Sequence, residues 1–355
     1  MNDNRSFRNT FGGGRLDSHI FNNIVSLENL FSAWKEFSRG KKNKPDVIKF
    51  SSNLEDSIFI LREDVVRGRW KPDAYRAFYI NDPKLRQIHK ASVRDRMFYQ
   101  AVYRVLYLLF DKDFVFDSYS SRTDKGTHAG IQRLQSFIVK VSHNHTRQIF
   151  ALKCDIRKFF DSIDHSILLQ LLEKKIKDEK CVELLRSIIG SFEKKPDKGL
   201  PLGNVTSQLF ANVYLNPLDW YIKTELRAQC YVRYCDDFVV VSEDRNFLES
   251  CISKINIFLA ETLLLELHPL KIEIRKLTQG IDFLGYVILP HRMVMRTKTK
   301  RRILKKSTKL VEKYKEGQIS KEKVRRSIAS YLGHVSHVKS NKARAILKGI
   351  DGILE

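Results

Sequence analysis

Three aspartates are placed where carboxylates are costly unless they have a chemical role. Asp155 ends the apolar, strand-like segment 149–155, and Asp236 and Asp237 lie in the middle of the similar segment 231–241. Such carboxylates need a cation to neutralise them. An Asp-Asp pair alone is usually an ordinary turn, so the interpretation depends on Asp155 as the third acid. Three carboxylates at the ends of adjacent strands can hold two Mg²⁺ ions about 3.5–4 Å apart, a pair that activates a 3′-hydroxyl and stabilises a leaving pyrophosphate.

The hydrophobic pattern predicts the elements that would position these acids. Apolar residues at helical spacing alternate with strand-like runs, and a tight turn at 199–203 leads into one of the helices. The pattern predicts a mixed core of strands and helices followed by a helical C-terminal module. The expected helices are 20–37, 53–67, 93–110, 129–141, 164–192 (broken near 177–180) and 246–265, with a basic break at 41–45. The expected strands are 75–80, 149–155, 270–275 and 281–288, and the segment 231–241 is expected to form a hairpin with the acidic residues at its bend.

The charge of the chain points to an acidic partner. The 355 residues contain 64 Lys and Arg against 41 Asp and Glu, a formal charge of +23. Residues 291–355 hold 19 of the basic residues and only 5 acidic ones. A solvated tail is one interpretation, but apolar residues at helical spacing favour a basic helical subdomain that binds a nucleic-acid backbone: Ile303, Leu310, Val311, Tyr314, Val324, Ile328, Tyr331 and Leu332.

The cysteines and the hydropathy exclude several classes of protein. Five cysteines without CxxC spacing indicate reduced thiols, and we find no signal peptide and no apolar stretch of membrane-spanning length. We therefore expect a cytoplasmic protein with no membrane partner.

Three segments, taken in order, resemble the catalytic motifs of one enzyme family. Asp155-Ile-Arg-Lys-Phe-Phe160, Leu200-Pro-Leu-Gly-Asn-Val-Thr-Ser-Gln208 and Tyr234-Cys-Asp-Asp237 are similar to motifs A, B and C of reverse transcriptases, specifically those of the prokaryotic group II intron-like lineage. Segments 85–100, 116–128, 267–271 and 283–286 resemble two fingers motifs, motif D and the primer-grip motif. The resemblance covers about residues 75–290.

The resemblance implies a fold and its domains. The fold class is α+β, a right-hand polymerase with fingers, a palm whose antiparallel sheet packs on helices, and a helical thumb. The implied domains are a flexible basic segment at 1–19, N-terminal helices and fingers at 20–149, a palm at 150–290 that also contains fingers elements at about 165–200, and a basic thumb at 291–355.

The resemblance also implies roles for individual residues. Asp155 and Asp236 would bridge two Mg²⁺ ions, for which Mn²⁺ could substitute, and Asp237 would complete the catalytic set; Ile156 belongs to the metal set. The deoxynucleotide (dNTP) would be bound by Arg122, Lys125, Phe160, Leu202, Gly203, Gln208 and Lys271. The template–primer backbone would be followed by Lys298, Lys300, Arg301, Arg302, Lys305 and Lys306.

Several of these implied roles have ordinary structural alternatives. Arg122 and Lys125 would contact the triphosphate, but a salt bridge within their loop is the alternative. Phe160 would be the steric gate against a ribose 2′-hydroxyl, unless it is a core residue like its neighbour Phe159. Lys271 would support protonation of the pyrophosphate, or else be a surface lysine. Gly203 would let the backbone approach the nucleotide closely, because glycine has no Cβ.

Motif B departs from the form that is common in group II-type enzymes. Leu202 replaces a glutamine and Gln208 replaces a proline, a form that resembles reverse transcriptases of diversity-generating retroelements. That family copies a template-repeat RNA, misincorporates opposite adenine, and uses the cDNA for mutagenic retrohoming. Loss of the glutamine side chain would remove a polar constraint near the templating pair. A neutral substitution without effect on fidelity is the alternative.

Two other functions remain open at this point. One is a retron-like or CRISPR-associated reverse transcriptase of ordinary fidelity, and the other is a non-catalytic, RNA-binding, maturase-like protein. The resemblance implies as partners the template RNA, the cDNA or primer, dNTPs, and a small basic helical accessory variability protein. We expect the segment 5–15 and the first helices to contact the RNA or this accessory protein.

Overall fold

The computed structural model describes residues 19–81, 85–336, 338, 345 and 349. The chain forms two compact units, each assembled from three separate stretches of sequence. Unit 1 comprises Met1–Phe116, Ile156–Glu225 and Ile255–His268, and unit 2 comprises Asp117–Asp155, Leu226–Lys254 and Pro269–Glu355. The domain boundaries expected after residues 149 and 290 remain predictions. All of the N-terminal segment 1–19 except His19 lies outside the described residues.

Unit 1 is mainly helical. The longest helix that lies entirely within this unit is α5 (Val93–Phe110), which carries apolar residues on most of its faces. It packs against α2 (Leu27–Ser38) and α10 (Val205–Trp220), as expected of a central helix. Side chains of Ser26, Ser92, Asp164 and Asp178 cap α2, α5, α8 and α9 by accepting backbone N–H bonds. The helices are α1 (Ile20–Ile24), α2 (Leu27–Ser38), α3 (Pro45–Ser51), α4 (Leu54–Val66), α5 (Val93–Phe110), α7 (Phe159–Ser162), α8 (His165–Glu173), α9 (Glu179–Ile189) and α10 (Val205–Trp220).

A two-stranded hairpin completes the regular structure described for unit 1. Strands β1 (Arg76–Asn81) and β2 (Leu85–Lys90) are antiparallel, with Phe78 opposite Ile88. The backbone N–H of His89 donates to the carbonyl of Leu202, 3.1 Å away. The turn before α10 is therefore held by strand β2.

Unit 2 contains a four-stranded antiparallel sheet in the order β4-β5-β3-β6. Its strands are β3 (Phe150–Asp155), β4 (Tyr231–Tyr234), β5 (Asp237–Ser242) and β6 (Glu273–Lys276). Helix α6 (Thr127–Val141) packs against β4 and β5. The central strands β3 and β5 are buried almost throughout, which explains their nearly continuous apolar sequence. Helix α11 (Arg245–Leu263) runs from unit 2 into unit 1.

A second sheet and two helices share the core of unit 2. Strands β7 (Ile281–Phe283), β8 (Tyr286–Leu289) and β9 (Arg292–Met295) form an antiparallel meander, followed by α12 (Thr297–Lys315) and α13 (Lys321–Ser336). Ile303, Val324 and Ile328 are buried in one apolar cluster with residues of both sheets. This burial confirms that residues 297–336, the described helices of the basic C-terminal region, are packed rather than part of a solvated tail.

The helical periodicity was wrong about one helix near the N-terminus and missed another. The expected helix 20–37 is two helices, because the chain leaves the helix at Val25 and Ser26 caps the next one. The basic break expected at 41–45 is followed directly by helix α3, which starts with Pro45 in its first turn, where proline is tolerated. None of the helices within the described residues is both long and apolar enough to cross a bilayer.

Candidate active site

The three aspartates lie within unit 2, where β3 and β5 meet. Asp155, the last residue of β3, is directly opposite Asp237, the first residue of β5. Tyr234 and Asp237 also pair, so Cys235 and Asp236 form a two-residue hairpin turn. Cys235 has a φ of 58°, the positive value that such turns require. The hairpin with acids at its bend is therefore confirmed, and Asp155 lies at the same end of the sheet.

The sequence around the turn explains its local fold. Tyr231, Val232 and Phe238 are fully buried and fix the strand register. Arg233 is also fully buried, and its guanidinium donates to the carbonyl of Cys235 at 3.0 Å. A buried guanidinium needs such acceptors, and here it supports the turn that carries Asp236.

The electrostatic surroundings of the carboxylates are unfavourable to their ionised forms. The pKa of Asp237 is raised to about 7, mainly by burial; the charges of Asp155 and Asp236 act in the same direction, and Lys153 opposes them. Burial and the charge of Asp155 raise the pKa of Asp236 as well. Like charges directly opposite each other destabilise a sheet. A cation at this place would relieve both effects.

Two lysines contact the acidic centre. Lys271 Nζ donates to Asp155 Oδ1 at 2.6 Å, which places this predicted residue directly at the acidic centre formed by the three aspartates. Lys153 Nζ lies 3.8 Å from Asp237 Oδ2 and 3.9 Å from Asp282 Oδ1. Arg296 forms an ion pair with Asp282. The acids therefore sit in a charged network whose cations come from β3, from the turn before β6 and from the residue after β9.

The donor set fits a hard divalent cation. Asp237 Oδ1 is buried and has no hydrogen-bond partner among the described residues. A buried carboxylate oxygen without a partner is rare in folded proteins, and a bound cation would satisfy it. Asp155, Asp236 and Asp237 offer only oxygen ligands, which suit Mg²⁺ and Mn²⁺. Bound there, such ions lower the pKa of an attacking hydroxyl and stabilise charge on a leaving phosphate.

Another group of side chains has its potential metal-ligand atoms closer together than the three aspartates do. Among the described residues, His165, Glu193 and Asp197 in unit 1 bring one ligand atom each to within 4.8 Å of the others. Asp155, Asp236 and Asp237 do not reach this spacing, and one oxygen of Asp155 accepts a hydrogen bond from Lys271. The cluster in unit 1 contains no sequence pattern typical of a metal motif, and Glu193 and Asp197 are exposed.

Phe159 and Phe160 differ in burial as the sequence analysis required. Phe159 is 2% exposed and belongs to the core of unit 1, whereas Phe160 is only partly buried. The carbonyl of Phe160 accepts from the N–H of Leu200 at 2.8 Å. Of the two, only Phe160 has a partly exposed ring that a nucleotide could contact. Its role as a steric gate remains a prediction. Ile156, which was predicted to belong to the metal set, is buried and forms an isolated antiparallel β-bridge with Leu267.

The motif B residues form the turn into α10. Leu202 is partly buried, and Gly203 and Gln208 are exposed. Gly203 has a φ of 121°, and a Cβ on it would lie 3.2 Å from Ile88 Cγ2. The glycine is thus required by the backbone and by the contact with β2, in addition to the expected approach of a nucleotide.

The remaining predicted residues lie in unit 2. Arg122 donates to the carbonyl of Ser118 at 3.1 Å, and Lys125 Nζ lies 4.8 Å from the ring centre of Tyr119, so both are engaged within their loop. Their contact with a triphosphate remains a prediction. Helix α12 carries nine basic residues and one acidic residue, and it includes all six predicted backbone-binding residues: Lys298, Lys300, Arg301, Arg302, Lys305 and Lys306.

The sequence analysis missed four residues of the charged network. Lys153 precedes Asp155 by two positions, so the alternation of a strand places both on one face. Arg233, a charged residue in an apolar strand, was a second available signal. The ion pair of Asp282 with Arg296 joins β7 to the start of α12, and no local pattern reveals it.

Comparison with known proteins gives a family assignment. Residues 74–288 match the family described as reverse transcriptase (RNA-dependent DNA polymerase). The chain is 25% identical to protein YkfC of Escherichia coli over 68% of this chain and 73% of that protein. It is 26% identical to the group II intron-encoded protein LtrA of Lactococcus lactis, over 56% of this chain but only 33% of LtrA.

Solved structures include chains that are similar to this one. One is telomerase from Candida albicans in complex with a fragment of telomeric RNA. The TM-score is 0.49 and the sequence identity is 15%, and the match covers 68% of this chain and 51% of the telomerase chain.

The family match covers more than half of the chain, contains the three aspartates and spans the predicted motifs. The chain belongs to the reverse transcriptase family and is an RNA-directed DNA polymerase.

Proposed function

We propose that the chain copies RNA into cDNA by two-metal nucleotidyl transfer at Asp155, Asp236 and Asp237. The observation that carries this proposal is the pairing of Asp155 with Asp237 across β3 and β5, together with the orphaned, buried Oδ1 of Asp237. A protein that only bound RNA would gain no stability from such a site, because buried carboxylates without a partner are destabilising. Mg²⁺ is the proposed ion.

The protein's own side chains then have distinct tasks. Lys271, which contacts Asp155, is close enough to the acidic centre to donate a proton to the leaving pyrophosphate. Arg122 and Lys125 would exchange their contacts within the loop for the triphosphate. Phe160 would crowd a ribose 2′-hydroxyl and so favour dNTPs over ribonucleotides.

Helix α12 is the proposed site for the template–primer backbone. The helix contains nine basic residues and a single acidic one, and Lys298, Arg301 and Lys305 are exposed. Phosphate contacts of this kind are independent of sequence and weaken as salt is added. The six basic residues at 298–306 therefore set affinity rather than specificity.

We further propose that the enzyme belongs to the diversity-generating type and is error-prone at template adenines. The support is Leu202 and Gln208 in motif B, at exposed or partly exposed positions of the turn into α10. Leucine at 202 offers no hydrogen bond to the nascent pair. The fidelity of a site falls when it has fewer polar groups that a wrong pair would leave unsatisfied. A template-repeat RNA and a small basic accessory protein are the proposed partners.

Primer extension tests both levels of the proposal. A mixed-sequence RNA is copied with dNTPs and Mg²⁺, with and without the accessory protein, and the cDNA is sequenced deeply. Asp236→Asn is the control for catalysis, and the double variant Leu202→Gln/Gln208→Pro restores the common form of motif B. We expect errors concentrated at adenines that decrease in the double variant.

The outcomes separate the alternatives. Uniform, low error in the unmodified chain would identify an enzyme of the retron-like or CRISPR-associated kind. Synthesis that continued unchanged in Asp236→Asn would disprove the catalytic assignment and leave the maturase-like, RNA-binding function.

A further inference from the structure

A pocket on unit 1 is not explained by the polymerase reaction. It has a volume of about 510 Å³, within the range of about 300–1,000 Å³ usual for small-molecule sites. Residues of α5, α8 and α10 and the segment after α5 line it. The walls are largely apolar and aromatic: Phe110, Phe114, Leu171, Val213, Pro217 and Trp220.

Trp220 is the exposed aromatic member of this pocket. Its side chain is 47% exposed, whereas Phe110 and Phe114 are buried. Its indole Nε1–H donates to the carbonyl of Asp113 at 3.1 Å, which fixes the plane of the ring. A large aromatic ring that is both held in place and open to solvent is a suitable stacking surface for a planar ligand.

The pocket also contains a side chain with an unsatisfied hydrogen-bond acceptor. Asn216 lines the pocket, and its Oδ1 is buried and has no hydrogen-bond partner among the described residues. A ligand that enters here is favoured if it carries hydrogen-bond donors on a flat, apolar ring.

The charges around the pocket indicate an anionic ligand. Lys175 pairs with Asp113, but Lys174 is exposed and forms no ion pair within the described part of the chain. The pocket therefore has one positive charge in excess, on a chain whose total charge is +23. A phosphate beside a stacked ring would complement Lys174.

We propose that this pocket binds an unpaired, amino-bearing base of single-stranded RNA. The base stacks on Trp220, its exocyclic amino group donates to Asn216 Oδ1 once that side chain has rotated to bring the buried oxygen to the pocket, and the adjoining phosphate lies at Lys174. Adenine, cytosine and guanine have the amino group, and uracil lacks it, so the site discriminates against uracil. The site lies wholly in unit 1 and uses none of the residues assigned to catalysis or to binding of the template–primer.

Photocrosslinking on the full chain tests the location. Short unstructured RNAs carry a single 5-iodocytidine or, for comparison, 5-iodouridine, and the crosslinked peptide is identified by mass spectrometry. We expect a crosslink at Trp220 that is stronger for the cytidine probe. A complex saturated with RNA that crosslinks only at other peptides would overturn the proposal.

Binding measurements on variants test the chemistry. We expect Trp220→Ala to weaken binding of a short oligoadenylate about tenfold. Asn216→Leu should remove most of the preference for oligoadenylate over oligouridylate. Ile257→Ala, an exposed apolar residue of the same unit, is the matched control and should bind RNA normally.

Primer extension at saturating template shows that each variant is folded, and we expect it unchanged. If Trp220→Ala instead lowered self-association and left both RNA affinities unchanged, the pocket would be a protein-docking site and the RNA proposal would be wrong. Equal affinities of the unmodified chain for the two oligonucleotides would refute the role of Asn216. Failure of this proposal leaves the polymerase assignment intact, because the two are measured separately.

Discussion

Asp237→Asn should stabilise the metal-free protein while abolishing synthesis. Burial and neighbouring acids raise the pKa of Asp237 from 3.8 to about 7. A raised carboxyl pKa means that the folded state holds its proton more tightly, so stability is lost as pH rises from about 4 to about 7 and stays low above that. Three pKa units correspond to at most about 4 kcal/mol. The new buried amide, without partners, offsets about 1–3 kcal/mol of this.

Thermal unfolding in a metal chelator, at pH 6 and pH 8, measures this effect. The gain in stability of Asp237→Asn should be larger at pH 8, by about 1 kcal/mol. Millimolar Mg²⁺ should stabilise the unmodified chain and have much less effect on the variant. Asp282→Asn is the matched control, and it should be destabilising because it removes a partner of Arg296 and Lys153. If Asp237→Asn destabilised the metal-free protein as Asp282→Asn does, the reasoning about the acidic centre would be refuted.

Three further changes test other parts of the structure. Lys271→Gln should lower the rate of single-nucleotide incorporation by about 10²-fold with little effect on primer binding, because the lysine contacts Asp155; equal rates in pre-steady-state assays would argue against a proton donor. Tyr286→Phe removes a hydroxyl that lies 2.9 Å from His334 Nδ1 and 3.0 Å from its carbonyl, and should shorten products under single-turnover trap conditions while first-nucleotide addition is retained. Gly203→Ala should destabilise the chain by about 1–3 kcal/mol in denaturant unfolding, since φ is 121° and a Cβ would contact β2; an unchanged midpoint would contradict that strain.

Local patterns in the sequence were sufficient for the acidic centre. Asp155 and Asp237 could be placed at strand ends because the strands are buried on both faces and read as continuous apolar runs. The turn at Cys235-Asp236 followed from the same runs. Asp164, an aspartate directly before helix α8, is a residue type typical of a helix N-cap, and it accepts from the N–H groups of Ser166 and Ile167.

Long-range pairing could not be obtained in the same way. Gly203 contacts β2, more than a hundred residues earlier, and nothing in the motif itself shows that strand. The ion pair between Asp282 and Arg296 depends on the register of a three-stranded meander. The assembly of each compact unit from three stretches of chain depends likewise on contacts that single-sequence periodicity does not contain.

The acidic centre is costly for a protein that only binds RNA. Asp155 and Asp237 lie opposite each other in the sheet with little exposure, and a bound cation would give Asp237 Oδ1 the partner that it lacks among the described residues. Lys153 and Lys271 already supply positive charge, yet the pKa of both Asp236 and Asp237 stays raised. We therefore expect a metal ion, rather than protein groups alone, to complete the centre. A stabilisation by Mg²⁺ that depends on Asp237 would show directly that the metal completes it.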